Sequence, residues 1–142
     1  LYSDRTLKLK LLDVNTGAKK EVASAYSNEI RDYKFSPDSK WIVYTNNSEN
    51  SNRAVWVYNI ETGQNHKLTG DTFNEFSPVF SHDGDYIFFL SNRDFNLNFS
   101  SFEFTYLYDK ATRVYALALR KDSPKLFKFK NDVVDVKIDE SS

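Results

Sequence analysis

Two stretches of this chain set a serine beside an aspartate: Phe35-Ser36-Pro37-Asp38 and Phe80-Ser81-His82-Asp83, the second with a histidine between them. Serine, histidine and aspartate are the parts of a nucleophilic hydrolase site, in which the imidazole takes the serine proton and the carboxylate orients the imidazole. The spacing argues against that chemistry. Ser27, Ser36, Ser77 and Ser81 have no base nearby in sequence, and none sits in the glycine-flanked pattern of a nucleophile elbow. His66 and His82 are the chain's two histidines; one is read on an outer strand and the other in a turn, and a metal site needs more ligands at suitable spacing. Asp38 and Asp83 could pass for a carboxylate pair, but they hold equivalent turn positions in successive units. They are expected to stand apart, each bonding to its own turn. No catalytic, cofactor-binding or metal-ligating residue is assigned.

Composition narrows the class further. The chain has 142 residues, 40% apolar and 16% aromatic, so it can fold and fits at most one ordinary domain. Its net charge of −1 and lack of a basic stripe speak against nucleic acid as a partner. There are no cysteines, hence no disulfides and no thiolate metal site. No run approaches the ~18 apolar residues that a membrane-spanning helix requires. The compartment is left open between bacterial periplasm and cytoplasm.

The conspicuous stretches make sense as parts of a repeat. Leu9 to Gly17 aligns with Val55 to Gly63, and Asp38 aligns with Asp83; the offsets are 46 and 45 positions. Each period reads as four short strands. One ends in Phe-Ser, one is apolar and follows the Ser-Pro-Asp turn, one ends in Thr-Gly, and one is short and polar. Trp41–Thr45 and Tyr86–Leu90 are apolar on both faces and must be covered on both sides. The polar last strands, Lys19–Ser24 and Asn65–Thr69, suit an outer edge. Four strands in about 40–45 residues is the pattern of a propeller blade. The expected fold is therefore all-β, an incomplete β-propeller of two and a half to three four-stranded antiparallel blades. Residues 1–28 form the outer strands of one blade, 29–70 a second blade and 71–130 a third, with 131–142 a linker or the start of the next domain. No helix is predicted.

The third unit departs from the pattern. Near 93–112 it carries an aromatic insertion in which Phe102, Phe104 and Tyr106 alternate, and which could add a strand. Phe95, Phe99, Phe102, Phe104 and Tyr106 are read either as cover for a blade edge or as a contact for peptides or another subunit. Lys125–Phe129 is read as the third blade's outer strand.

The Phe-Ser-Pro-Asp turns and Thr-Gly strand ends resemble the TolB and tricorn propeller repeats. The repeat motif Phe-Ser-Pro-Asp-Gly-Lys-x-Ile-x-Phe is matched at 35–44, with Ser39 for Gly, and at 80–89, with His82 for Pro and Asp85 for Lys. The stretches Phe88–Asn96 and Lys110–Pro124 are similar to the last blade of the first propeller in bacterial tricorn-type serine proteases, and Val136–Asp139 to the opening of their second. The resemblance implies propellers that precede a PDZ domain and a C-terminal protease domain, with the catalytic serine, histidine and glutamate in that distant region and none here. The function it implies is a non-catalytic segment that guides or gates peptides or unfolded protein and contributes to assembly. The alternative is a TolB-like protein-binding propeller with no protease. A propeller enzyme with a site in its channel finds no supporting acid–base or metal cluster. A stack this short is also expected to expose two large apolar faces and to self-associate, two copies closing one ring.

Overall fold

The computed structural model describes residues 1–94 and 110–127, together with the backbone of 97–100 and 105–108. Three antiparallel sheets follow one another along the chain. The first joins β1 (Tyr2–Ser3), β2 (Lys8–Leu12) and β3 (Lys19–Ser24); the second joins β4 (Tyr33–Phe35), β5 (Trp41–Asn47), β6 (Arg53–Asn59) and β7 (Asn65–Lys67) in sequence order. The third sheet contains β8 (Glu75–Phe80), β9 (Tyr86–Ser91) and β12 (Arg113–Ala118), ordered β12-β9-β8. Between β9 and β12 lies a separate two-stranded hairpin, β10 (Leu97–Ser100) and β11 (Thr105–Tyr108). No helix occurs among the described residues.

The strand that is apolar on both faces explains how the sheets meet. Successive side chains of a strand point to opposite faces. On β5, Ile42 and Tyr44 enter one cluster with Leu9, Val22, Ile30 and Tyr58, between the first and second sheets. Val43 enters another with Val55, Val57, Ile87 and Phe89, between the second and third. The middle sheet is thus buried on both sides, as the blade reading requires. Ile42, Val43 and Ile87 are fully buried, and burying each such side chain contributes about 1.5–3 kcal/mol.

The repeat is visible in the hydrogen bonds. Asp13 caps its turn by accepting from the backbone N–H of Asn15 and Thr16, and Asn59 accepts from Thr62 N–H in the same manner. Gly17 N–H and Gly63 N–H then donate to the carbonyls of Asp13 and Asn59 at 2.9 Å. Both glycines have φ near +70°, which closes each turn.

Several expectations change. β1 was not read from the sequence; it is two residues long and is defined by pairing with β2. The strand that ends in Phe-Ser before the first Ser-Pro-Asp turn is short, only Tyr33–Phe35. The insertion forms a hairpin and not a single extra strand. Lys125 to Phe127, the described part of the expected outer strand, is not strand; residues 128–129, like Val136–Asp139, lie outside the described residues. The two free faces also differ. Leu9 turns into the core, so Lys8 and Lys10 face away from the second sheet, where they pair with Glu21 at 2.7 Å and Asp4 at 2.5 Å. That face carries two ion pairs beside the exposed Leu12. The opposite end of the stack is apolar, with Val79 45% and Val114 70% exposed.

Candidate functional site

The two Ser-x-Asp corners are built alike. Ser36 donates its hydroxyl to Asp38 and accepts from Trp41 N–H at 2.9 Å, while Asp38 also accepts from Lys40 N–H at 3.1 Å. Ser81 donates to Asp83 and accepts from Tyr86 N–H at 2.9 Å, with Asp83 accepting from Asp85 N–H at 3.1 Å. The serine hydroxyl beside each aspartate, with the backbone N–H behind it, holds both carboxyls below the usual carboxylate range. No histidine joins either pair. These serines are therefore spent on their turns, as the repeat implies. The left-handed residue of the first corner is Ser39, at φ 58°, and that of the second is Gly84, at φ 75°.

The corners are nevertheless closer to a common feature than their sequence separation suggests. Asp38 and Asp83 both line one cleft of about 480 Å³ between the second and third sheets. Trp41, Val57, Leu68, Phe80 and Leu119 supply its apolar wall, and His66 and Arg120 complete the rim. The His66 ring lies 6.4 Å from that of Trp41. His82 is exposed in its turn and does not line the cleft. No group of three metal-ligating side chains occurs among the described residues. Asp85, standing where the repeat motif has lysine, pairs with Arg120, and Leu119 N–H donates to its carbonyl. The end of β12 is thereby tied to the corner of β8 and β9.

At the opposite end of the sheets, a second opening of about 480 Å³ is polar, lined by residues including Asn28, Glu29, Arg31, Asn47, Arg53 and Asn74. Arg53 spans the second and third sheets here. Its Nε donates to Asn74 at 3.2 Å, its guanidinium lies 3.6 Å from Asp32, and it covers the Phe76 ring at 5.6 Å. Asp32 in turn accepts from Ser77 N–H at 3.2 Å.

The insertion leaves the third sheet at this same end. Its stem is pinned by Thr112 donating to Asn92 at 2.7 Å and by Arg113 donating to Asp94 at 2.7 Å. Arg93 anchors it more deeply. The guanidinium pairs with Glu75 at 2.5 Å and lies 4.3 Å from the Tyr115 ring centre, with Phe73 and Phe89 also beneath it. Glu75 is 1% exposed, and its Oε2 has no hydrogen-bond partner among the described residues. Sequence reasoning missed this pair. The available signal was the repeat itself, which puts Glu75 45 positions after the buried Ile30. A carboxylate at a core position calls for a cationic partner. Of the residues expected to make contacts, Phe95, Phe102 and Phe104 lie outside the described residues, as do the side chains of Phe99 and Tyr106. The backbones of Phe99 and Tyr106 face each other as register partners in the hairpin.

The family model described as the tricorn protease second beta propeller domain matches residues 1–142. The tricorn protease of Thermoplasma volcanium is 29% identical over 120 residues, covering 80% of this chain and 12% of that protein. Tricorn protease homolog 1 of Streptomyces coelicolor is 25% identical over 84% of this chain and 11% of its own length. A putative tricorn-like protease C-terminal subunit of Sulfurisphaera tokodaii is 26% identical over 84% and 14%. The chain therefore spans only 11–14% of these curated relatives. In fold it is similar to the crystal structure of the tricorn protease, with a TM-score of 0.81 at 18% identity over 87% of this chain and 13% of that one. It is also similar to a putative TolB from Agrobacterium tumefaciens, with a TM-score of 0.55 at 17% identity over 81% and 38%. The sequence resemblance pointed to the first propeller; the matching model is that of the second. Blade repeats share their turns and strand patterns, so these motifs identify the blade without numbering the propeller. The chain belongs to the family of the tricorn protease second beta propeller domain.

Proposed function

We propose that this chain is a non-catalytic propeller segment of a tricorn-like serine protease, guiding or gating peptide substrates and contributing to assembly. The observation that carries the reading is the family match over the whole chain. It is supported by turn serines committed to their own aspartates and by a polar opening, rimmed by Arg31, Arg53 and Glu29, at the end from which the aromatic insertion leaves. An opening of this character suits passage or steering of a peptide backbone better than retention of an apolar ligand. The insertion, with Phe95, Phe99, Phe102, Phe104 and Tyr106, is proposed as a peptide or subunit contact at that end. The partners are peptides or unfolded protein, reached through the parent protease.

The test is Arg53→Glu in the product of the full reading frame. Reversing this charge is expected to change kcat/KM for long peptides while leaving short blocked substrates nearly unaffected. Equal effects on both lengths would refute guidance at this opening. The TolB likeness favours a second reading, a protein-binding propeller with no associated protease. Absence of peptide hydrolysis by the full-length product would favour it.

A further inference from the structure

The cleft between the second and third sheets has three features not explained by holding the turns together. First, Trp41, Leu68, Phe80 and Leu119 pack at the margin of the second core cluster but remain only half-buried where they face the cleft. Second, both corner carboxylates are used on one side only. The hydrogen bonds within the turns all fall on Asp38 Oδ1 and Asp83 Oδ1, and the Oδ2 atoms have no hydrogen-bond partner among the described residues. Both groups are held ionised by their turns. Third, the His66 ring, exposed at the rim, touches Trp41 and makes no hydrogen bond among the described residues. Arg120, the cation in the lining, is already neutralised by Asp85.

From this arrangement we propose that the cleft binds a linear peptide segment in which a large apolar side chain is followed by a basic residue. The apolar side chain covers the half-buried wall, and its burial drives binding. The basic side chain meets the free oxygens of Asp38 and Asp83, and the His66 ring hydrogen-bonds the peptide backbone. A volume of about 480 Å³ lies within the ~300–1,000 Å³ range of ligand pockets. The inference goes beyond the proposed function and does not rest on it, because the cleft lies at the end opposite the polar opening and is tested by binding, not proteolysis.

The probe is a labelled, end-blocked Gly-Phe-Arg-Gly tetrapeptide, titrated with the full 142-residue chain and followed by fluorescence anisotropy. Saturable binding is expected, weakened at least ~fivefold by replacing the peptide's Phe with Gly or its Arg with Glu. Asp38→Asn with Asp83→Asn keeps the capping oxygens and should weaken binding of the Phe-Arg peptide about threefold to tenfold, with no effect on a Phe-Gln peptide. His66→Ala, at an exposed site, supplies an independent variant and should weaken both peptides about threefold. No saturation by ~1 mM, equal affinity for the Arg and Glu peptides, or indifference to both sets of substitutions would overturn the proposal.

Discussion

Removing Arg93 should destabilise the chain far more than a half-exposed arginine ordinarily would. Arg93→Ala strands the carboxylate of Glu75, which is 1% exposed and has one oxygen already without a partner. Breaking a buried ion pair from one side costs about 3–5 kcal/mol. Arg93 retains 29% of its side-chain exposure, so water can partly reach the gap, and the lower end of about 3 kcal/mol is expected. Loss of the guanidinium over the Tyr115 ring adds about 0.5–1 kcal/mol. The second variant separates charge from packing. Glu75→Ile with Arg93→Ala installs the residue found at the equivalent position 30, which is 2% exposed. With the orphaned charge gone, most of the loss should return, leaving the double variant within about 1–2 kcal/mol of the parent. Urea unfolding followed by the fluorescence of Trp41 and Trp56 reads both. A loss below about 1 kcal/mol for Arg93→Ala, or a double variant as unstable as the single, would refute the account of this pair.

Ser39→Gly should raise stability by about 0.5–1 kcal/mol, because Ser39 occupies the left-handed position that Gly84 fills in the other corner, and thermal unfolding checks it. Asp38 and Asp83 have folded-state pKa values below their ordinary 3.8, so their contribution is present above that pH and is lost as pH falls through the lowered values. An acid titration should therefore be flat near neutrality and fall below about pH 4, and Asp38→Asn with Asp83→Asn should make the acid limb shallower, with Asp4, Asp13 and Asp71, also lowered, keeping the rest of the slope. Asn65 donates to Val22 O at 2.8 Å and accepts from the buried Tyr44 hydroxyl at 2.8 Å; Asn65→Ala should cost about 1–2 kcal/mol in urea unfolding, more than an exposed asparagine otherwise would. Val114→Glu, on the free apolar face of the third sheet, should leave stability within about 0.5 kcal/mol while lowering the apparent mass in light scattering at high concentration; an unchanged mass would remove that face from self-association.

The sequence disclosed what is local and periodic. The Ser-Pro-Asp corner, the Thr-Gly turn and the two-sided apolar strand β5 each carry a signal within a few residues, and the offsets of 45 and 46 repeat it. Features set by partners distant in sequence stayed hidden. β1 is a strand because β2 pairs with it, and its two residues have no periodicity of their own. The placing of two ion pairs on the first free face depends on which side of β2 Leu9 takes. The repeat made Asp38 and Asp83 equivalent but did not reveal that successive corners flank one cleft, since that depends on how adjacent sheets pack. Glu75 and Arg93 are 18 positions apart and meet only because β8 and β9 pair.

The central claim is that this propeller segment serves a protease without performing the cleavage. Its most direct test compares hydrolysis of a fluorogenic peptide by the 142-residue chain and by the product of the full reading frame. The account predicts no turnover by the chain alone and serine-inhibitor-sensitive turnover by the full-length product. Turnover by the chain alone, abolished by Ser36→Ala or Ser81→Ala, would contradict it.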